Sequence, residues 1–352
     1  KNPGIYDKIT KYMKHIGVED SQLLQFCESI LQNLLQNKII DKQNDRLVCT
    51  PYGHAMVRHY VLFESTKIFI NAPKFQSVHD ILRLLSASKE FSDIRVRHNE
   101  KRLYKEINSS PLTKFPFLTE KKQSQIIDTT FQKVSLLIQY ELGGLEFPSY
   151  QGASKLHQTL VQDKAIVFRN CFRILKCMVD TFIERKDGIS LKNTLFLLRS
   201  VNGNCWEDSS MVLRQLKSIG LVSVRKLVHH NVNTLEQMRQ ISDQQLEYYL
   251  GQKRGSGSKI KRDLTLLPQL QIRCKLEYCS HKGHHVEVAL KIELSAQFET
   301  SIWHGQGLSL DIETLKTTGE LLDFRRLKLA HLKAPRSFRI PTIMPVSYTH
   351  LT

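Results

Sequence analysis

The chain has 352 residues, 41% of them hydrophobic, and a formal net charge of +17 from 51 Lys and Arg against 34 Asp and Glu. That length suits two to four domains with real cores and excludes a disordered tail. The basic excess favours a polyanionic partner, nucleic acid or an anionic membrane surface, and no apolar run nears the ~20 residues that a spanning helix needs.

The first residues, Lys1-Asn2-Pro3, carry neither Met nor a signal-like apolar stretch and read as a cut inside a longer protein. Residues 5–16 predict a helix. Ser21, ahead of Leu23, Leu24, Phe26 and Cys27, opens a second helix to about residue 38. Ile39-Ile40, a polar turn at Gln43-Asn44-Asp45, and Leu47-Val48-Cys49 predict a hairpin, after which Thr50 caps a helix begun by Pro51. Helices followed by a two-stranded wing predict a winged helix over residues 1–60, which would either bind DNA or serve as a packing module.

Residues 61–215 predict a helical bundle. Ser77 with Asp80 is a capping signal ahead of Ile81, Leu82 and Leu85. Further helices are expected over residues 99–108, over 131–142 up to Gly143-Gly144, over 162–185 up to Gly188, and over 191–201. Residues 216–267 predict short helices, with Asn233/Glu236 and Ser242/Gln245 as capping pairs and residues 251–258 as a flexible basic loop. After Pro268 the period changes to two: Ile272, Cys274, Leu276 and Tyr278 alternate with charged residues, and so do Val286 to Leu294. With strands over 308–312 and 321–329 about a turn at Gly319, this predicts an antiparallel β-sandwich of the immunoglobulin or fibronectin kind over 268–346. Residues 347–352 lack the pattern and read as a non-native tail. The fold class expected is therefore multidomain, mainly α with a C-terminal β-sandwich.

Most catalytic chemistry is missing from the sequence. No phosphate loop of the GxxxxGK[ST] type occurs; Gly251 to Lys259 comes nearest, with the wrong spacing and no Ser or Thr after the lysine. No HExxH, GxSxG or kinase signature occurs either. Glu207-Asp208 reads as a helix cap rather than an acid/base pair. Seven cysteines, without a CxxC, read as free thiols. Cys274, Cys279, His281, His284 and His285 could be weighed as zinc ligands, but an odd separation in one strand puts the two cysteines on opposite faces, with Cys274 on the apolar one.

Nucleic-acid chemistry is better represented. Arg169, Arg173 and Lys176 share a face of the long helix, with Lys164 upstream and Phe168 and Phe172 interleaved. Such a helix can pair with phosphates and stack on bases, or it can be a solvated face with its phenylalanines in the core. Residues 216–227 fit a helix-hairpin-helix in which Gly220 permits a tight turn, free amides face a phosphate, and Arg225 and Lys226 add charge; a structural helical hairpin fits equally. Lys253, Arg254, Lys259, Lys261 and Arg262, and likewise Arg325, Arg326, Lys328, Arg336 and Arg339, could track a phosphate backbone or be ordinary surface.

Several motifs carry a family resemblance over residues 1 to about 345: Lys1-Asn2-Pro3 with Tyr6, Thr50-Pro51-Tyr52-Gly53, Glu90-Phe91, Arg95 and Arg97 with Asn99-Glu100-Lys101, Lys133-Val134-Ser135, and most specifically Cys205-Trp206-Glu207-Asp208-Ser209 followed by Leu213-Arg214-Gln215-Leu216. Their order resembles the C-terminal half of helicases carrying the domain named for the translocation protein Sec sixty-three, in versions closest to the meiotic crossover DNA helicases of the Mer-three type. The translocation protein itself should show membrane spans and a His-Pro-Asp loop, which this sequence lacks.

The resemblance implies a nuclear, ATP-dependent, three-prime to five-prime DNA helicase whose motor lies upstream. ATP and magnesium would belong to that motor, leaving no cofactor in this chain and no activity in it alone. It also implies a ring around single-stranded DNA, with the helix at 162–185 as a ratchet and Lys164, Arg169, Phe172 and Arg173 as its contacts. Lys176, Gly220, Arg225, Lys226, Lys253 and Arg254 complete the expected nucleic-acid surface. Expected partners are single-stranded and branched recombination DNA, and proteins docking on the β-sandwich; the chain is expected to be a monomer. A spliceosomal-type RNA unwindase and a protein-interaction scaffold are the competing readings.

Overall fold

The structure, a computed structural model, describes residues 20–148, 153–282 and 285–345. The helix expected over 5–16, the Lys1-Asn2-Pro3 and Tyr6 motif, His284, and the tail at 347–352 lie outside the described residues. Regular structure is mainly helical, with small antiparallel sheets.

Helix α1 (Asp20–Gln36) leads into a hairpin of β1 (Ile40–Gln43) and β2 (Arg46–Cys49). Asn44 and Asp45 turn it at φ 48° and 56°, the left-handed conformation that Asn and Asp tolerate best after Gly. Thr50 then caps α2 (Pro51–Arg58) by accepting from Gly53 N, while its hydroxyl donates to the Ile39 carbonyl at 3.0 Å. One side chain thus ties helix to hairpin.

The bundle continues with α3 (Phe63–Asn71), α4 (Val78–Ser86), α5 (Lys101–Ser109), α6 (Thr130–Leu142), α7 (Ala153–Glu184) and α8 (Gly188–Gly203). Ser77 and Asp80 form the expected capping box on α4. Helix α7 starts at Ala153, well before residue 162. Leu156 and Leu160 extend the buried stripe of Val167, Cys171, Ile174 and Met178 at the same three-and-four spacing, so burial continues the helix upstream. Gly188 is not merely a stop. Asp187 is fully buried, and its carboxylate accepts from Ser190 N at 3.1 Å, which starts α8 one residue later.

Next come a 3-10 turn (Ser210–Gln215), α9 (Leu221–His229), α10 (Leu235–Gln240), α11 (Asp243–Leu250) and α12 (Ser256–Thr265), around a second core that includes Leu213, Val224, Leu227, Leu246 and Ile260. The cap of α10 is Thr234 with Gln237, one residue past the expected Asn233 and Glu236. The flexible loop expected at 251–258 is instead a short turn that runs into α12. Gly251 (φ +63°) and Gly255 (φ +89°) supply its left-handed corners. Gly257 lets α12 press onto α11, since a Cβ there would lie 2.2 Å from the Asp243 carbonyl oxygen.

The C-terminal part has strands β3 (Gln269–Lys282), β4 (His285–Gln297), β5 (Ile302–Trp303), β6 (Gln306–Gly307), β7 (Ser309–Leu315), β8 (Leu321–Lys328) and β9 (Arg336–Pro345). They form one sheet in the order β3-β4-β9 and two separate hairpins, β5-β6 and β7-β8. The β7-β8 ribbon has two working faces. Leu315, Leu321 and Phe324 join the bundle core, whereas Leu310, Ile312 and Leu327 meet Leu294 and Phe338 of the sheet. Gly188 N donates to the Gly319 carbonyl at 3.0 Å, and Leu321 N to that of Lys186, which pins the ribbon turn to the start of α8.

The strand-parity argument against zinc fails locally. A bulge between Leu276 and Tyr278 resets the register, so Cys274 pairs with Ile292 and Cys279 with Val288, and both point to one face. Cys274 lies on the side of Ile292 and Phe338, yet on edge strand β3 it is exposed. Among the described residues no three His, Cys, Asp or Glu side chains gather as a metal site.

Candidate nucleic-acid interface

Helix α7 packs on α2, α6 and α8 and leaves one long face to solvent. Arg169 on that face is exposed and carries no ion pair among the described residues. Phe168 and Phe172 divide: Phe168 packs on the core, while Phe172 is 37% exposed with the Lys176 ammonium 4.2 Å from its ring centroid. Arg173 is half-buried, its guanidinium held by the Asn170 side-chain oxygen at 2.8 Å and by the Tyr60 carbonyl. Lys164 does not share this face. It turns toward α6, where it pairs with Glu141 and sits 5.8 Å from the Tyr140 ring centroid. Five residues along a helix is about 140° from Arg169, which is the physical reason for the separation.

What holds α7 in register is a cluster that composition hides. Lys133 of α6 is 0% exposed. Its ammonium lies 2.7 Å from both Glu100 and Asp163 and donates to the Arg95 carbonyl at 2.9 Å. Arg97 donates to the same carboxylates, at 2.7 Å to Glu100 and 3.2 Å to Asp163. Two cations face two carboxylates, so the cluster is neutral and its charged groups are hydrogen-bonded, as burial demands. The Tyr104 hydroxyl beside it is buried without a hydrogen-bond partner among the described residues; burial first, then Glu100 and Asp163, pushes its phenol above the ordinary value. The motif from Arg95 to Lys101 is therefore a clamp: it joins the segment before α5 to α6 and, through Asp163, to α7. Sequence reasoning missed Lys133 and Asp163 as a pair. The available signal was a lysine inside the apolar run of α6.

The Cys205–Ser209 motif is also structural. Trp206 packs edge-on to Phe115 at 6.0 Å and stacks on Phe196 at 6.4 Å, with the Lys114 ammonium 5.0 Å from its ring centroid. Glu207 pairs with Arg199 at 2.7 Å and Asp208 with Lys114. The cap expected of these acids belongs instead to Ser209, which accepts from Met211 N. All seven cysteines are free; burial pushes the Cys177 thiol up to about 12 and Cys205 up to about 11.

The two helical turns of the second core differ as anion sites. Gly220 has φ −94°, and a Cβ there would meet nothing within 4 Å, so this turn requires no glycine. The amides at the start of α9 have no side-chain cap. At the second turn, the Glu247 carboxylate accepts from Gly255 N at 2.6 Å and Gly257 N at 3.1 Å, and so already occupies the amides of α12. Arg225 pairs with Glu146 at 2.6 Å, and Lys226 donates to the Leu250 carbonyl at 2.8 Å; both are engaged within the chain. Lys253 and Arg254 are exposed and carry no ion pair among the described residues. Lys261 donates to the Met238 and Arg239 carbonyls. In the β part, Arg325, Arg326 and Arg339 pair with Asp323, Asp311 and Glu277. Of the cations considered above, Arg169, Lys176, Lys253 and Arg254 carry no ion pair among the described residues, and neither do the exposed Lys259, Arg262 and Lys328; Arg336 donates to the His331 carbonyl.

Comparison with known proteins gives a consistent picture. The Sec63 Brl domain matches residues 49–350. Over 97% of its length the chain is 64% identical to the ATP-dependent DNA helicase MER3 of Saccharomyces cerevisiae, of which it spans 29%. It is 28% identical over 80% of its length to the ATP-dependent DNA helicase homolog MER3 of Arabidopsis thaliana, spanning 25% of that protein. It is 27% identical over 78% of its length to the probable ATP-dependent DNA helicase HFM1 of Homo sapiens, spanning 18%.

Proposed function

The chain belongs to the Sec63 Brl domain family, and on that premise we propose that it is the strand-guiding, non-motor part of an ATP-dependent DNA helicase acting in the nucleus on recombination intermediates. One strand would pass along the outward face of α7. Arg169, Arg173 and Lys176 would meet its phosphates, and Phe172 a base. The observation that carries this reading is the outward face itself: an Arg169 without an ion pair among the described residues and an exposed Phe172 under Lys176, on a helix whose register is fixed by the buried Lys133 cluster. Helix-hairpin-helix contacts through the open turn at Gly220, a winged helix at the N-terminal side and a β-sandwich at the other end complete the proposed layout.

ATP hydrolysis is not assigned to these residues. The segment nearest in sequence to a phosphate loop, Gly251 to Lys259, turns into α12 with the Glu247 carboxylate already on its amides. The chain alone is therefore expected to bind strands without unwinding them. A second reading, protein docking, is favoured by β3, an edge strand with Leu270, Ile272 and Leu276 exposed.

The test is a titration with single-stranded DNA, RNA and duplex DNA at several salt concentrations. Preference for the DNA single strand is expected, with a log–log salt slope of about −0.7 per phosphate neutralised. Arg169→Glu should lower affinity several-fold and flatten that slope without shifting the unfolding midpoint. Equal, weak binding to all three, or an R169E variant of unchanged affinity, overturns the assignment.

A further inference from the structure

Four aromatic rings meet at the end of α11, and Tyr248, His229 and His230 among them are exposed. His230, just past α9, stacks on Tyr249 with centroids 4.0 Å apart and planes 9° from parallel. His229 stands edge-on to His230 at 5.4 Å, and Tyr248 lies 6.4 Å from His230 and 6.1 Å from Tyr249. Tyr249 packs on the second core, but Tyr248 is 79% exposed, and both histidines are exposed. A tyrosine in that position buries little area and stabilises little. Its ring stands open beside the others.

Position and charge say what would cover it. Lys226 donates to the Leu250 carbonyl at 2.8 Å, which holds the end of α9 against the end of α11 and so assembles the rings. The chain then turns at Gly251 and presents Lys253 and Arg254, exposed and without an ion pair among the described residues. The nearby Glu247 carboxylate is turned onto the Gly255 and Gly257 amides and does not neutralise them. Open rings that accept any π face, with cations that accept any phosphate a few residues further along the chain, are the two elements of a sequence-tolerant single-strand site. A protein partner would be better served by an apolar patch, whereas this surface offers rings with polar tips and unopposed positive charge.

We propose that Tyr248, backed by the His230–Tyr249 stack, is a base-stacking platform for single-stranded DNA, and that Lys253 and Arg254 hold the flanking phosphates. The proposal rests on the single-strand reading above and adds a second contact for the same strand, separate from the face of α7.

The experiment compares oligo-dT with an abasic strand of equal length, at fixed salt, for the whole chain and its variants. Tyr248→Ala should weaken oligo-dT binding about tenfold, within the range expected for one stacked base, and leave abasic binding unchanged. Tyr248→Phe should restore oligo-dT binding. Lys253→Glu with Arg254→Glu should weaken both strands and flatten the salt dependence. A Y248A variant that binds oligo-dT as the wild type does, or loses affinity equally for both strands, overturns the platform. If the wild-type chain binds neither strand, the strand-guiding reading itself falls; if it binds both and only Y248A is silent, the platform alone falls.

Discussion

Lys133 shows how much a single buried charge can decide. It touches Glu100, Asp163 and the Arg95 carbonyl, and no water-exposed surface remains to it. Lys133→Met would keep the volume and remove the cation, leaving the two carboxylates with Arg97 alone. Breaking a buried pair in this way costs about 3–5 kcal/mol, so a large fall in the urea midpoint is expected; a change of under 1 kcal/mol would mean that water reaches the site. Asp180 gives a pH-dependent counterpart. Burial raises its pKa, but the hydrogen bond from His59 at 2.9 Å and the charges of His59, Arg58 and Arg326 outweigh burial, and the net shift is downward. A lowered carboxyl pKa stabilises the fold above the ordinary Asp value of about 3.9 and loses that contribution as pH falls through the folded value. Thermal midpoints measured between pH 5 and 3 should fall less steeply for Asp180→Asn than for the wild type.

Several helix starts follow their local signals, although the α10 cap falls one residue past the expected pair and the cap expected of Glu207-Asp208 belongs to Ser209. The Thr50-Pro51 start of α2, the Ser77/Asp80 box and the Ser242/Gln245 box are all where side-chain chemistry puts them. Three features were less legible. The start of α7 depends on what Leu156 and Leu160 bury against, which no cap announces. The bulge in β3 depends on its pairing with β4. The segment 251–258 has the composition of a flexible basic loop, but Gly257 is a contact point between two helices, which only the packing of α12 on α11 reveals. The site divided in the same way: Arg169 and Phe172 could be read from helical spacing, but the diversion of Lys164 to Glu141 and of Lys226 to Leu250 depends on neighbours distant in sequence. The glycines allow a direct comparison. Gly257→Ala places a Cβ 2.2 Å from the Asp243 carbonyl oxygen and should destabilise by about 1–3 kcal/mol, as overpacking does. Gly220→Ala meets nothing and should change stability by under about 0.5 kcal/mol. Calorimetry of the two variants side by side checks both; equal losses would show that the first turn is as constrained as the second.

At the scale of the whole chain, the change of period after residue 268 marks where strands begin but not where the bundle ends. The β7-β8 ribbon contributes Leu315, Leu321 and Phe324 to the helical core, and its turn is hydrogen-bonded to residues 186 and 188. The helices and the ribbon should therefore unfold together, although a sequence boundary separates them. Leu321→Ala tests this, because Leu321 is 6% exposed and faces the helices. Removing a buried leucine side chain costs about 2–5 kcal/mol. Only two tryptophans occur, so in a Trp303→Phe background the fluorescence of Trp206 reports on the bundle core alone. Leu321→Ala should lower the unfolding midpoint seen by Trp206. Leu327→Ala, on the ribbon face turned toward the β3-β4-β9 sheet, should lower it much less. If Leu321→Ala leaves the Trp206 transition in place, the ribbon is an independent layer, and the helical bundle that positions α7 does not depend on it.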